Sequence, residues 1–191
     1  MTNRMLADSL GIALLLVLGG CKNSQALPVE VASLRENLPT LERAALAWRP
    51  DAYLESSEIP LHNGSPASWL IDAHFNSPTT PYESLLVNLN IDGSISTERI
   101  AHTIPVRLVA PIAPDEWALD SEEALKSGLD SRRRQFLEVH ADSHCSFLKL
   151  ERDIGEPGEK VVWRLVLREC LPGGESLPDI IIDPNSGRIL R

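Results

Sequence analysis

The 191-residue chain has little positive charge, few cysteines and none of the short motifs that announce catalysis. Its 18 lysines and arginines face 27 acidic side chains, giving a formal net charge of -9. Phosphate-backbone binding depends on clustered cations, so no nucleic-acid partner is expected. Arg132-Arg133-Arg134 is the one basic run and reads as a solvated helix end, where cations complement the dipole. A Gly-rich phosphate loop, HExxH, Cys-x-x-Cys and a Gly-x-Ser-x-Gly elbow are all missing, which argues against an enzyme and against a bound cofactor. The histidines are His62, His74, His102, His140 and His144. His140 and His144 have a spacing that converges on a helix, whereas this segment reads as strand and turn, so no metal site is expected. Asp92-Gly93 and Asp183-Pro-Asn-Ser-Gly187 could offer oxygens to calcium, but as turn formers they need no ion. Beyond residue 18 no apolar stretch is long enough to span a bilayer.

What is present begins with an address. Arg4 precedes the apolar run Leu10 to Leu18, which is too short to cross a membrane, and Gly19-Gly20 leads into Cys21. Leu18-Gly-Gly-Cys21 resembles the lipobox of bacterial lipoproteins. The resemblance implies a signal peptide over 1–20, a diacylglyceryl group on the Cys21 thiol, and acylation of the new amino terminus. Two or three such chains, at about 0.8 kcal/mol per buried methylene, form a stable anchor. The competing reading is an ordinary secretory signal with an incidental cysteine. Lys22 stands where an aspartate often marks inner-membrane retention, which favours the periplasmic side of an outer membrane if the source is Gram-negative. Residues 21–39 read as a lipidated tether and lead-in.

The remaining body follows one plan twice, giving an α+β fold of two tandem modules, each a helix plus an antiparallel sheet. The first module, 40–100, opens with a helix at Thr40 to Trp48 that Pro50 stops. Strands follow at Tyr53 to Ile59, Ser68 to Phe75 and Ser84 to Ile91, the last turning through Asp92-Gly93 into Ser94 to Ser96. Residues 101–118 carry Pro105, Pro111 and Pro114 and read as a linker or edge strand. The second module, 119–191, opens on a capping box, Asp120-Ser-Glu-Glu123. Its strands are expected at Gln135 to His140, His144 to Arg152, Lys160 to Cys170 and Asp179 to Asp183. Asp92 lies 23 residues after Trp69, and Asp183 lies 20 after Trp163, so the copies agree to within a loop.

With Cys21 lipidated, Cys145 and Cys170 remain in an oxidising compartment, where two such thiols commonly pair. A hairpin turning between Pro157 and Gly158 sets Cys145 opposite Cys170. It also sets Leu148 opposite Leu167, Leu150 opposite Leu165 and Glu151 opposite Arg164, leaving one face apolar. The competing reading is two unpaired, partly buried thiols.

Leu119-Asp-Ser-Glu-Glu-Ala-Leu125, Trp163-Arg-Leu-Val-Leu167 and Ile180-Ile-Ile-Asp-Pro-Asn-Ser-Gly-Arg-Ile189 resemble the PepSY domain. In the first half Ala47-Trp-Arg-Pro-Asp-Ala52, Trp69 and Ile91-Asp-Gly93 match it. The resemblance implies an extracytoplasmic binding or inhibitory module, often one that regulates peptidases, with no catalytic residues. The expected function is a lipid-anchored envelope protein that binds a protein or peptide; the alternative is a non-inhibitory structural or assembly lipoprotein. Among Trp48, Trp69, Trp117 and Trp163, Trp117 in the Pro-rich segment is the one expected to be exposed for a partner.

Overall fold

The computed structural model describes residues 29, 31–61, 69–140, 145–153, 159–170 and 172–191. The segment 1–20 expected to be a signal peptide, Cys21, His62, Asn63-Gly64, His144 and the turn expected at Pro157-Gly158 lie outside the described residues.

Helix α1 spans Leu34–Trp48, starting before the Thr40 expected from the sequence and passing through Pro39. Proline removes one backbone hydrogen bond, but Leu34, Leu38, Leu41 and Ala45 form a buried stripe that outweighs the loss. Four strands follow: β1 (Tyr53–Pro60), β2 (Trp69–Asn76), β3 (Glu83–Asn90) and β4 (Ile95–Ala101). After a single 3-10 turn at Pro114–Glu116 come α2 (Ser121–Gly128) and α3 (Ser131–Val139), then β5 (Phe147–Asp153), β6 (Lys160–Arg168) and β7 (Ser176–Ile182). The strand expected at Gln135 to His140 is helical instead. Asp130 caps that helix by accepting from the Arg133 N–H at 2.8 Å, and Phe136 and Leu137 are its buried residues.

All seven strands form one antiparallel sheet in the order β4-β3-β2-β1-β5-β6-β7. The chain's halves meet where β1 pairs with β5, Glu58 opposite Lys149 and Ile59 opposite Leu148. Helix α1 packs on the first half, α2 and α3 on the second, over one continuous core. Core-facing residues alternate along the strands, as in Ile71, Ala73 and Phe75 of β2 and Leu85, Val87 and Leu89 of β3. Gly128, the last residue of α2, permits close approach to the sheet: a Cβ there would lie 2.9 Å from both Leu165 and Ile182.

The amino termini of α1 and α2 share their caps. Ser33 caps α1 and donates its hydroxyl to the carboxylate of Asp120, which caps α2. That carboxylate also accepts from the Arg35 N–H at 3.1 Å, while Ser121 Oγ accepts from the Leu34 N–H at 3.2 Å and donates to the Ala32 carbonyl. One negative charge thus serves two sets of orphan amides and two positive dipole ends. The capping box read from the sequence is present, since Glu123 accepts from the Asp120 N–H at 3.1 Å. Asp120→Ala should lower stability by about 2 kcal/mol, roughly one cap's worth for each helix, and Asp120→Asn by less than half of that. Urea denaturation of both variants reads the difference; equal losses would show that the charge is immaterial.

The Cys145–Cys170 disulfide is formed, with Cα atoms 5.2 Å apart. The hairpin register differs from the expected one by two residues: Leu148 faces Leu165, and Leu150 faces Trp163. The shift is taken up between the ladder and the bridge, where Ser146 Oγ accepts from the Arg168 N–H at 3.1 Å and donates to the Arg168 carbonyl at 3.2 Å. A two-residue shift keeps every side chain on its own face, so Glu151 still reaches Arg164, now diagonally, at 2.5 Å.

Candidate functional site

The helices and the core occupy one side of the sheet. On the other side the register lines up a transverse row of polar residues across five adjacent strands. Asn88 on β3 faces Asp72 on β2, Asp72 faces Glu58 on β1, Glu58 faces Lys149 on β5, and Lys149 faces Arg164 on β6. Ion pairs tie the row together. Lys149 Nζ lies 2.8 Å from Glu58 and 3.6 Å from Glu151, and Arg164 lies 2.5 Å from Glu151 and 3.7 Å from Asp179. Beside the row runs a groove of about 430 Å³ lined by Glu55, Ser56, Val109, Lys149, Glu151 and Arg164, among others.

The acidic end of the row is out of balance. Burial, with the nearby Glu58 charge adding to it, pushes the Asp72 carboxyl up to about 7. Asp72 Oδ1 is buried without a hydrogen-bond partner, and so is Oδ1 of its cross-strand neighbour Asn88. A proton on Asp72 would turn one of these two facing acceptors into a donor. Burial also raises the Glu55 carboxyl and lowers His74, the latter against the nearby Glu58 charge. For Lys149 burial is the largest influence and acts downward, but the Glu58 hydrogen bond and the Glu58 and Glu151 charges outweigh it, so the ammonium is held above its usual range.

Asp72 gives a signed pH prediction. A carboxyl raised in the folded state binds its proton more tightly there than in the unfolded chain, so its stabilising effect is complete below the unfolded value near 4 and is lost as pH rises through about 7. Allowing for solvent screening, the wild type should lose roughly 1–2 kcal/mol between pH 5 and pH 8 through this group. Asp72→Asn should remove that slope and be the more stable form at pH 8. Urea midpoints at the two pH values check it, and an unchanged slope in the variant would assign the pH dependence elsewhere.

Other residues named from the sequence take different places. Trp117, expected to be exposed, is buried at 1% exposure. The segment that carries it is bonded across the sheet's end: the His102 N–H donates to the Tyr82 carbonyl, Val106 to Pro81, Ile112 to Leu54 and Ala118 to Pro184. The prolines keep this strap extended, as expected, but extension here leads under the helices. Trp117 meets Trp163 edge to face at 6.0 Å, and the Arg35 guanidinium lies 4.7 Å above its ring and donates to its carbonyl at 2.5 Å. Arg152 holds the strap's middle through the carbonyls of Ala110 and Pro111 and through Glu116 at 2.6 Å.

His140 closes α3 and faces Glu169 at 2.8 Å, and His102 shares a hydrogen bond with Ser84 at 2.9 Å. Among the described residues no three His, Cys, Asp or Glu side chains are grouped so as to hold a metal ion. The Asp92 and Asp183 carboxylates accept from amides of their own turns, Ser94 at 2.9 Å and Ser186 at 2.8 Å; the Ser94 side chain and then its amide hold Asp92, and the Ser186 amide holds Asp183, below the usual range. No described helix is long and apolar enough to cross a membrane. The transverse row was not anticipated from the sequence: its members come from both halves of the chain, and only the β1–β5 pairing brings them together. No family model, curated protein or solved structure matches the chain.

Proposed function

We propose that the chain is a lipid-anchored protein of the bacterial cell envelope whose body binds a protein or peptide. The observation that carries this reading is the helix-free side of the sheet, where an ordered row of opposite charges and a shallow groove are available to a partner. Alternating charge held by cross-strand pairing offers orientation and selectivity, which suits recognition. The two halves are read as PepSY-like modules, 40–100 and 119–191, joined through their first strands. A peptidase is the partner class that this resemblance nominates.

A photo-crosslinking residue at Asn88, in cells, tests the reading. A peptidase among the captured partners supports regulation, assembly factors alone favour the structural alternative, and no specific adduct from this side of the sheet would overturn the binding reading. The anchor is tested separately with an alkyne fatty acid. Wild type should incorporate it, and incorporation by Cys21→Ser would show the lipobox assignment to be wrong.

A further inference from the structure

The sheet's two edges are not alike. At β7 the outward backbone groups are already taken: the Ile181 N–H donates to the Arg191 carbonyl at 2.9 Å, Leu190 to Ile181 at 2.8 Å, and Asp183 to Arg188 at 2.8 Å. The rest of that edge carries Pro178 and an irregular register opposite Leu165 to Leu167. Proline, a bulge and a covering segment are the usual means of closing an edge against further strands.

At β4 none of these is present. Its pairing with β3 is unbroken from Glu83–Ala101 to Leu89–Ile95, and Ser96 to Arg99 are exposed. The parity of the ladder is fixed at both ends, because the His102 N–H donates to Tyr82 and the Asn90 N–H donates to Ser94. Even-numbered residues of β4 therefore bond to β3, and the N–H and C=O groups of Ile95, Thr97, Arg99 and Ala101 point away from the sheet. Among the described residues no backbone bond outside the β3 ladder engages them.

Side chains on this edge indicate what fits. Glu98, opposite Leu86, projects on the charged side of the sheet, and Arg99, opposite Leu85, projects on the core side. Neither has an ion-pair partner among the described residues. The β4 edge of a second copy, paired antiparallel to this one, does not supply one. A two-fold axis normal to the sheet pairs residues of equal parity, so Glu98 would meet Ser96, Glu98 or Ile100 of the copy, and never Arg99.

Resting on the binding reading above, we propose that β4 receives an extended segment of another protein as an eighth, antiparallel strand. The segment carries an acid opposite Arg99 followed by a base opposite Glu98, with β-branched residues around them.

The probe is a fluorescent heptapeptide, Thr-Ile-Glu-Lys-Thr-Thr-Val, and the charge-exchanged Thr-Ile-Lys-Glu-Thr-Thr-Val, titrated onto the full mature protein in detergent. The first peptide should bind and slow exchange of the Thr97 and Arg99 amides, and the second should bind about tenfold more weakly, as two inverted cross-strand pairs require. Thr97→Pro removes an outward N–H that the fold does not use; it should keep the wild-type urea midpoint and lose the peptide. Glu98→Lys/Arg99→Glu should reverse the peptide preference and keeps the test decisive should Thr97→Pro not fold. No binding at millimolar peptide, protection confined to other strands, equal affinity for both peptides, or dimerisation that Thr97→Pro abolishes would each overturn the proposal. In cells, a partner crosslinked equally to wild type and Thr97→Pro would overturn the edge while leaving the binding reading intact; absence of any partner would remove both.

Discussion

Trp163→Ala is expected to lower stability by about 4 kcal/mol, the upper part of the range for deleting a buried large side chain. Trp163 is fully buried in the middle of β6, opposite Leu150 on one side and Ile182 on the other. Three losses coincide on truncation. The indole volume cannot be refilled by two neighbouring strands whose register is fixed, the Leu119 carbonyl loses its 3.1 Å hydrogen bond from Nε1, and Trp117 loses its edge-to-face partner. Since Trp117 seats the strap from residue 102 to 118, the damage should reach beyond the cavity. At roughly 2–4 °C per kcal/mol for a chain of this size, the melting temperature should fall by about 8–16 °C. Trp163→Phe keeps much of the packing and should lose about 1–2 kcal/mol, and Trp69→Ala, at a half-buried site, a similar amount. A loss below about 1.5 kcal/mol for Trp163→Ala would mean that the two indoles are not a packing centre.

The tryptophan pair also marks where sequence reasoning stopped. Trp163 lies in a strand that is itself a nearly continuous apolar run, so its burial could be read locally. Trp117 lies among prolines, and proline says only that no regular helix or ladder passes there; it does not say which side of a sheet the extended chain will take. The burial of Trp117 depends on Arg35, 82 residues away in sequence, and on the tryptophan of β6. Strand positions, the Asp120 capping box and the apolar face of the β5–β6 hairpin rest on short-range pattern and were legible. Joining the halves through β1 and β5 was not, because the pairing of Glu58 with Lys149 leaves no trace in either strand alone. The charged row is a product of that pairing, and so it emerges only with the sheet. Helix α3 was misread for a related reason: Gln-Phe-Leu-Glu-Val suits either period over so short a run, and the Asp130 cap that decides it stands five residues upstream of Gln135.

Reducing the Cys145–Cys170 bridge is expected to lower stability by about 3 kcal/mol, the loop-closure value for a separation of 25 residues. The bridge lies at the end of the hairpin remote from its turn, just beyond the last regular pair, Phe147 with Val166. There the ladder has lost its register, and the pairing is continued by side chains: the Ser146 hydroxyl, bonded both ways to Arg168, and the Arg168 guanidinium, which donates to the Cys145 carbonyl at 3.2 Å. Without the covalent link that end should fray first. The fraying should pull on Glu169, whose carboxylate meets His140 at the end of α3 and accepts from the Glu175 N–H at 3.0 Å. The loss should therefore appear as a lowered urea midpoint together with faster amide exchange at Ser146, Arg168 and the last turn of α3, while β2 and β3 keep their protection. The register argument supplies its own control. Face patterns with a period of two could not separate the observed pairing from one displaced by two residues, yet the cysteines are bridged in the observed one only because the ladder slips before it reaches them. Ser146→Ala removes the hydroxyl that spans the slip and should enlarge the effect of reductant by about 1 kcal/mol, since bridge and hydroxyl then no longer share the same task. The Cys145→Ser/Cys170→Ser double variant should be indifferent to reductant and match the reduced wild type. Should reduction move the wild-type midpoint by less than about 1 kcal/mol, the hairpin end would have to be held by its noncovalent contacts alone.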